Sequence, residues 1–411
     1  MSLEYEKEVL VERLRPKIFP ATAGDYEGVM AISEGIYMGV DYLPYRYHTW
    51  LKDSQRRMFV AKSEGKVVGF DSFLLVDGGI TAVVQGLRVA DWMRGCGVAG
   101  ILQRFCFKTL RSDHSNVTRI RLTTVENPPA TMLNTYQIIH SKAVISVFIS
   151  AEQLEDAVKI LESRVSATCD NCIPPVFLEY SEVHNLFPGC LKEYDLLPGG
   201  FLMQAWLPIT TNKANLDLMH RWKVQWLCSY PCDALGDVTG SSELHDVKCS
   251  FDVNNGIKKT KQSASKDDLT ASTTPAPSNG FLGFLSLGSP MLRVPLGEGK
   301  HRLDIDIFGT DLSFAKIHVL YQLKEAVKKL STGGSIICFV YIEESLHAGL
   351  NDFFKGFTPF KLCRQQLWGQ SLWPFLNPLG LQSVRLHSVY SDTPAADRQN
   401  ETTTVIDSMR K

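Results

Sequence analysis

Val83-Val84-Gln85-Gly86-Leu87-Arg88-Val89-Ala90-Asp91-Trp92-Met93-Arg94-Gly95-Cys96-Gly97-Val98-Ala99-Gly100 is the stretch on which the fold turns. An apolar run of strand character passes into an arginine and closely spaced glycines, then into a helical pattern that reaches about Leu110. Glycines at a strand-to-helix turn let backbone N–H groups approach an anion with no Cβ in the way. The helix N-terminus adds about half a positive charge there, so a phosphate or pyrophosphate is the natural guest. No Gly-Lys-Ser/Thr follows, which excludes a P-loop. The strand is not the first of its domain, which sets the motif apart from a dinucleotide-binding fingerprint. On glycine spacing alone, an ordinary tight turn is an equally good reading.

Working outward, FVAKSEGKVVGFDSFLLV (59–76) reads as a β-hairpin with Gly65 at the positive-φ position, and ITAVVQGLRV (80–89) as the next strand. Tyr26, Val29, Met30 and Ile32 have the spacing of an amphipathic helix. RIRLTTV (119–125) is a strand. ENPPATMLNTYQII opens a helix with Asn127 as N-cap and Pro128 at the first helical position, and KAVISVFIS (142–150) is a further strand. Residues 18–150 thus form an α/β unit around a central sheet, behind a tail or short helix at 1–17. Residues 151–390 form a second domain. HRLDIDIF (301–308), a helix over 315–330, SIICFVYI (335–342), a helix over 345–354 and FKLCRQQLW (360–368) repeat the order of the first half. Residues 254–280 contain no aromatic residue and read as a disordered loop, and 391–411 as a flexible tail.

Composition narrows the function. Lys+Arg is 43 against Asp+Glu 44, and a net charge of −1 lacks the footprint of a nucleic-acid binder or a membrane docker. There is no 18-residue apolar span and no secretory signal, so a cytoplasmic location is expected. The ten cysteines are sparse and irregular. Cys169, Cys172, Cys228 and Cys232 lack zinc-knuckle spacing and flanking histidines, so no metal is expected.

Arg94-x-x-Gly97-x-Ala99, preceded by Leu87-x-Val89 on a strand, resembles the acetyl-CoA motif of the GNAT superfamily of N-acetyltransferases. The hairpin before it and Glu126-Asn127-Pro128-Pro129-Ala130 after it fall in that family's order, over roughly residues 18–150. SEGIYMGVDYLPYRYHTWL (33–51), with QGLRV and GVAGILQRFC, is most similar to the vertebrate histidine N-acetyltransferase branch, in which a long C-terminal region follows the catalytic domain. The resemblance implies a mixed α/β (α+β) GNAT fold with a central twisted sheet flanked by helices. The second half reads as a degenerate copy: Ile307-Phe308-Gly309-Thr310-Asp311 lacks the arginine and second glycine of an acetyl-CoA loop.

The resemblance also implies roles. Backbone amides of Gly95, Cys96, Gly97, Val98 and Ala99 would hold the pyrophosphate of acetyl-CoA beside Arg94. Leu87, Arg88 and Val89 would pair with the pantetheine arm like an added strand, near Asn127. Many family members carry a glutamate where this chain has Gln85, which cannot take a proton at neutral pH, so Glu126 is the nearest candidate base by sequence. The family's tyrosine acid is displaced by two residues, to Tyr136. For the acceptor, Tyr37, Asp41, Tyr42, Arg46 and Gln85 belong to the expected pocket, with Arg46 or Arg88 meeting a carboxylate. The expected reaction is direct acetylation of the α-amine of a free amino acid, histidine first. Another amine (a protein N-terminus, a lysine, a polyamine) or non-catalytic acyl-CoA binding is the alternative.

Overall fold

The structure, a computed structural model, describes residues 16–128, 130–167, 174–187, 196–229, 283–330 and 333–372. Most of the N-terminal tail, the loop 254–280, the tail 391–411 and Cys169, Cys172 and Cys232 lie outside the described residues.

The first half runs β1 (Lys17–Pro20), α1 (Tyr26–Ala31), α2 (Leu43–Leu51), β2 (Arg56–Ser63), β3 (Lys66–Val76), β4 (Thr81–Val89), α3 (Val98–Asp113), β5 (Arg119–Val125), the single turn α4 (Ala130–Leu133) and β6 (Gln137–Ile149). Glu64 and Gly65 both take positive φ, +48° and +79°, so the two-residue turn matches the strand twist as its sequence predicts. Helix α3 lies against β3 at Gly69, where a Cβ would come within 2.7 Å of Leu102. β1 to β4 are antiparallel, and β5 is parallel to β4.

That parallel pairing is short. It joins only Thr81–Val83 to Arg119–Arg121, after which the two strands diverge. A bulge accompanies the divergence: Gly86 (φ +86°) and Leu87 together oppose Asp71 of β3. Arg121 holds the fork. Its guanidinium meets Asp77 at 2.7 Å and donates to the Pro208 carbonyl and to Gln370 Oε1.

The second half runs α5 (Leu154–Ser166), β7 (Val176–Phe177), α6 (Tyr180–Leu186), the hairpin β8 (Phe201–Gln204) and β9 (Leu207–Thr210), α7 (Lys213–Arg221), β10 (Gln225–Ser229), β11 (Phe284–Gly288), β12 (Leu292–Arg293), β13 (Lys300–Phe308), α8 (Leu312–Lys329), β14 (Ser335–Ile342), α9 (His347–Phe353), β15 (Thr358–Pro359) and β16 (Gln365–Leu372). Antiparallel β10, β11 and β13, then α8, then β14 parallel to β13, repeat the plan of β2 to β5. The copy lacks the fork: β13 and β14 stay paired from Lys300–Ser335 to Asp306–Tyr341. Asp311 caps α8 through Phe314 N, and a Cβ at Gly309 would strike the Phe284 ring at 2.4 Å. The second half has neither an open strand edge nor a bare helix N-terminus at this point, which is the physical content of its degeneracy.

The halves are joined by an exchange of strands. One sheet runs β1-β2-β3-β4-β5-β16-β6-β14-β13-β11-β10-β7. β16, last of the described strands, sits between β5 and β6 of the first half, while β6 pairs along its other edge with β14. β6 begins at Gln137 rather than 142, because Gln137–Ala143 finds a partner in β16, and the predicted helix after Glu126 shrinks to one turn. The hairpin β8–β9 lies on the face opposite α3, where Leu202, Leu207 and Ile209 pack with Leu74, Val76 and Val83. Among the described residues no helix is long and apolar enough to cross a membrane. Cys228 and Cys338 are buried free thiols.

Candidate active site

Strand β4 delivers its glycine loop to the N-terminus of α3. Gly95 and Gly97 have φ of +77° and +79°, and nothing lies within 4 Å of a Cβ built on either. Gly97 occupies the N-cap position and leaves it without a side-chain partner. The first intrahelical acceptor is Gly97 O, taken by Ile101 N, so the amides of Val98, Ala99 and Gly100 stand bare at the end of a 16-residue helix. Arg94 is beside them, in a 2.7 Å ion pair with Asp91. The Cys96 thiol is buried and turned toward the Arg94 carbonyl, so this side chain is no part of the cradle. A bare, positive, Cβ-free concavity is what a pyrophosphate requires. The fork opens beside it, leaving the β5-facing edge of Gln85–Val89 without a strand partner.

On the opposite face, at the same fork, is a cleft enclosing about 500 Å³, part of it open to solvent. Helix α2 supplies Arg46 and Trp50, and its N-cap residue is Tyr42; β2 and β4 supply Arg56 and Gln85; the second half supplies Gln204, Trp206, Trp222, Arg302 and Asp304. Arg56 lies 3.6 Å over the Trp50 ring and donates to Gln85 Oε1 at 2.9 Å. Arg302 is committed to Asp304 (2.7 Å), whose carboxylate also accepts from the Tyr341 hydroxyl. Arg46 differs. No carboxylate among the described residues comes within salt-bridge distance of its guanidinium, which rests 5.9 Å over Trp222. Burial pulls its pKa below the ordinary value, and the charge of Asp304 is the largest opposing influence. A half-buried cation without a counterion is stabilised by an anionic guest.

Of the five residues expected on the acceptor side, Tyr42, Arg46 and Gln85 line this cleft. Asp41 and Tyr37 do not. Asp41 is fully buried, 2.6 Å from Arg88, and accepts from Leu43 N to start α2. Burial alone would lower the Arg88 pKa, but Asp41 drives it up, so the two charges hold each other. Arg88 is therefore engaged by Asp41 inside the fold. Tyr37 stacks behind the wall, 6.0 Å from Tyr42 and 5.4 Å from Trp206.

Tyr136 precedes β6 and is buried on the α3 side of the sheet, in one apolar cluster with Val98, Leu102 and Cys106. It packs over Gly369 of β16, where any Cβ would come within 3.1 Å of it. Burial, then the charge of Asp71, pushes its phenol above the ordinary range, which keeps it protonated. Asp71, opposite the β4 bulge, is itself buried and raised to about 7 by desolvation; Ser72 N at 2.9 Å and the Cys106 thiol at 3.6 Å offset this only in part. The Glu126 carboxylate accepts from Arg364 N and Gln365 N, which ties it to the start of β16. Asn127 is exposed, with φ +60°, and lies three residues before α4 rather than capping it, since the paired prolines delay the helix.

Sequence reasoning missed Arg56, Trp206, Arg302 and Asp304. Three of these come from the second half, and only the folded sheet brings them to β4.

The family model "Acetyltransferase (GNAT) family" matches residues 29–137, and "Histidine N-acetyltransferase, C-terminal" matches 171–237 and 272–343. The chain is 30% identical over 342 residues to a histidine N-acetyltransferase of Xenopus tropicalis, covering 81% of this chain and 87% of that one. It is 28% identical over 351 residues to the histidine N-acetyltransferase of Oreochromis niloticus, with 84% and 89% covered. Among solved structures, a tandem GNAT protein from the clavulanic acid biosynthesis pathway is similar over 87% of this chain and 98% of its own, at 13% identity and a TM-score of 0.47. With that identity over most of both chains, and the fork, the bare glycine loop and the two-half layout in place, the chain belongs to the histidine N-acetyltransferase family.

Proposed function

We propose that the protein transfers the acetyl group of acetyl-CoA to the α-amine of free L-histidine by direct attack in a ternary complex. The observation that carries this reading is the meeting, at one fork in the sheet, of a bare amide cradle on one face and a cleft with an uncompensated cation on the other. The amides of Gly95, Gly97, Val98 and Ala99 hold the pyrophosphate with Arg94 beside it, whereas the Cys96 amide, expected in the same cradle, is already given to the Met93 carbonyl. The open edge of Leu87, Arg88 and Val89 carries the pantetheine arm, and acetyl-CoA supplies the activated thioester at the fork. Arg46 holds the carboxylate of the amino acid, so that its amine faces the opening between β4 and β5. Tyr136, kept protonated by burial and by Asp71, donates to the departing thiolate as the C–S bond breaks, and the proton that the amine loses on forming the C–N bond restores the phenol.

Three arginines and one carboxylate on the cleft wall disfavour a polyamine, whose charges would need the opposite balance. The test is thiol release from acetyl-CoA by the full chain, with each of the twenty amino acids offered separately. Histidine should stand out, and Arg46→Gln should raise the KM for histidine and leave that for acetyl-CoA unchanged. Release with no amino acid, alongside tight acetyl-CoA binding, refutes the reading.

A further inference from the structure

Trp206 is held more firmly than a wall residue needs to be. Its carbonyl accepts from Gln85 Nε2 and from Thr123 Oγ1, both at 3.0 Å. The neighbouring Ala205 gives its N–H to Asp306 at 2.8 Å, and its carbonyl accepts from Gln366 at 3.2 Å. Ala205 carries φ +50°, a conformation that favours glycine, so the turn is strained and its surroundings hold it so. The indole stands 5.4 Å from the Tyr37 ring, which fixes its plane. Every polar group of the turn's backbone named here is satisfied, yet Trp206 lines the cleft and its indole N–H is buried with no partner among the described residues. A buried donor left unpaired destabilises the free protein, and a ligand that accepts from it recovers that loss.

We propose that Trp206, supplied by the second half, is a specificity-determining residue that donates its indole N–H to an unprotonated ring nitrogen of the acceptor's side chain. This rests on the reading of the acceptor as a free amino acid with an imidazole. The division of labour follows from charge. Arg46, a cation, takes the carboxylate, while a neutral donor suits a neutral sp² nitrogen and is useless to a hydrocarbon or thiophene ring. Gln85 is then a positioning residue. Its oxygen accepts from Arg56 while its nitrogen donates to the Trp206 carbonyl. A glutamate here would keep the first bond and turn the second into a repulsion.

The experiment compares kcat/KM for L-histidine and for 3-(2-thienyl)-L-alanine, a five-membered ring with no basic nitrogen, in the full chain. The wild type should prefer histidine. Trp206→Phe should reduce that preference by about three- to ten-fold, through the KM for histidine, with the KM for acetyl-CoA unchanged. An unchanged ratio, or equal losses for both substrates, overturns the proposal while leaving histidine acetylation standing. No turnover of histidine by the wild type overturns both. Gln85→Glu provides an independent reading, and decides the question if Trp206→Phe does not fold: a raised KM for histidine with unaltered acetyl-CoA affinity supports the bracket, and a changed kcat at constant KM refutes it.

Discussion

Asp71→Asn should make the protein more stable, and increasingly so as the pH rises. The carboxyl is buried, has no cationic partner among the described residues, and is raised by burial to about 7 from an ordinary 3.8. Between those values the native state binds more protons than the unfolded one, so stability falls as pH rises from about 4 and levels off above 7. At about 1.4 kcal/mol for each pH unit, the charged carboxylate destabilises the fold by about 4 kcal/mol at pH 8.5, of which roughly 3 kcal/mol develops above pH 5. Asparagine retains the acceptor for Ser72 N but sets an amide N–H₂ against the Cys106 sulfur, a weak acceptor, so a net gain of about 2–4 kcal/mol is expected at pH 8.5. Urea unfolding of both proteins at pH 5 and pH 8.5 measures it. The wild-type midpoint should fall across this interval and the variant's should hold. Parallel behaviour of the two would refute the account of Asp71 as an unpaired buried acid.

Gly97→Asp places a carboxylate and a left-handed non-glycine residue in the amide cradle, and should abolish acetyl-CoA binding by calorimetry in a folded protein; retained affinity would remove the loop from the site. Tyr136→Phe should lower kcat by about 10²-fold or more with little change in the KM for acetyl-CoA; a change in KM alone would mean the phenol only packs. Arg88→Met leaves Asp41 buried beside an apolar chain and should destabilise the protein by about 3–5 kcal/mol, read by denaturant midpoint, whereas Arg88→Met with Asp41→Leu should recover much of the loss.

What could be read along the chain was whatever depends on near neighbours. The Glu64-Gly65 turn, β4, the glycine loop, α3 and β5 all rest on residues within a few positions of one another, and all stand close to where their patterns put them. Three features could not be read because their causes are distant. β16 was expected over 360–368 within the second half; it forms at Gln365–Leu372 because β5 and β6 of the first half offer it two edges. Arg88 and Asp41 look like ligands for a substrate by type, and only burial reveals that they neutralise each other. The Ala205-Trp206 turn has no Asn, Asp or Gly to announce a hairpin, and its unusual backbone is upheld by Asp306, Gln366, Gln85 and Thr123, none of them local. Gln85 finds its partners on β2 and in the second half, Arg56 and the Trp206 carbonyl, and neither is near it in sequence.

The exchanged strands carry a consequence for how the enzyme comes into being. Arg121 and Gln370, joined across β5 and β16, are 249 residues apart in the chain. A ribosome that has made only the first half has made an anion cradle without the strand that braces Tyr136 from below. Pairing over such a separation is slow to nucleate, and the open edges of β5 and β6 stay exposed to wrong partners until the end of synthesis. Closure of the first half thereby waits on β16, and a premature stop upstream of it leaves β5 and β6 without the strand that pairs between them.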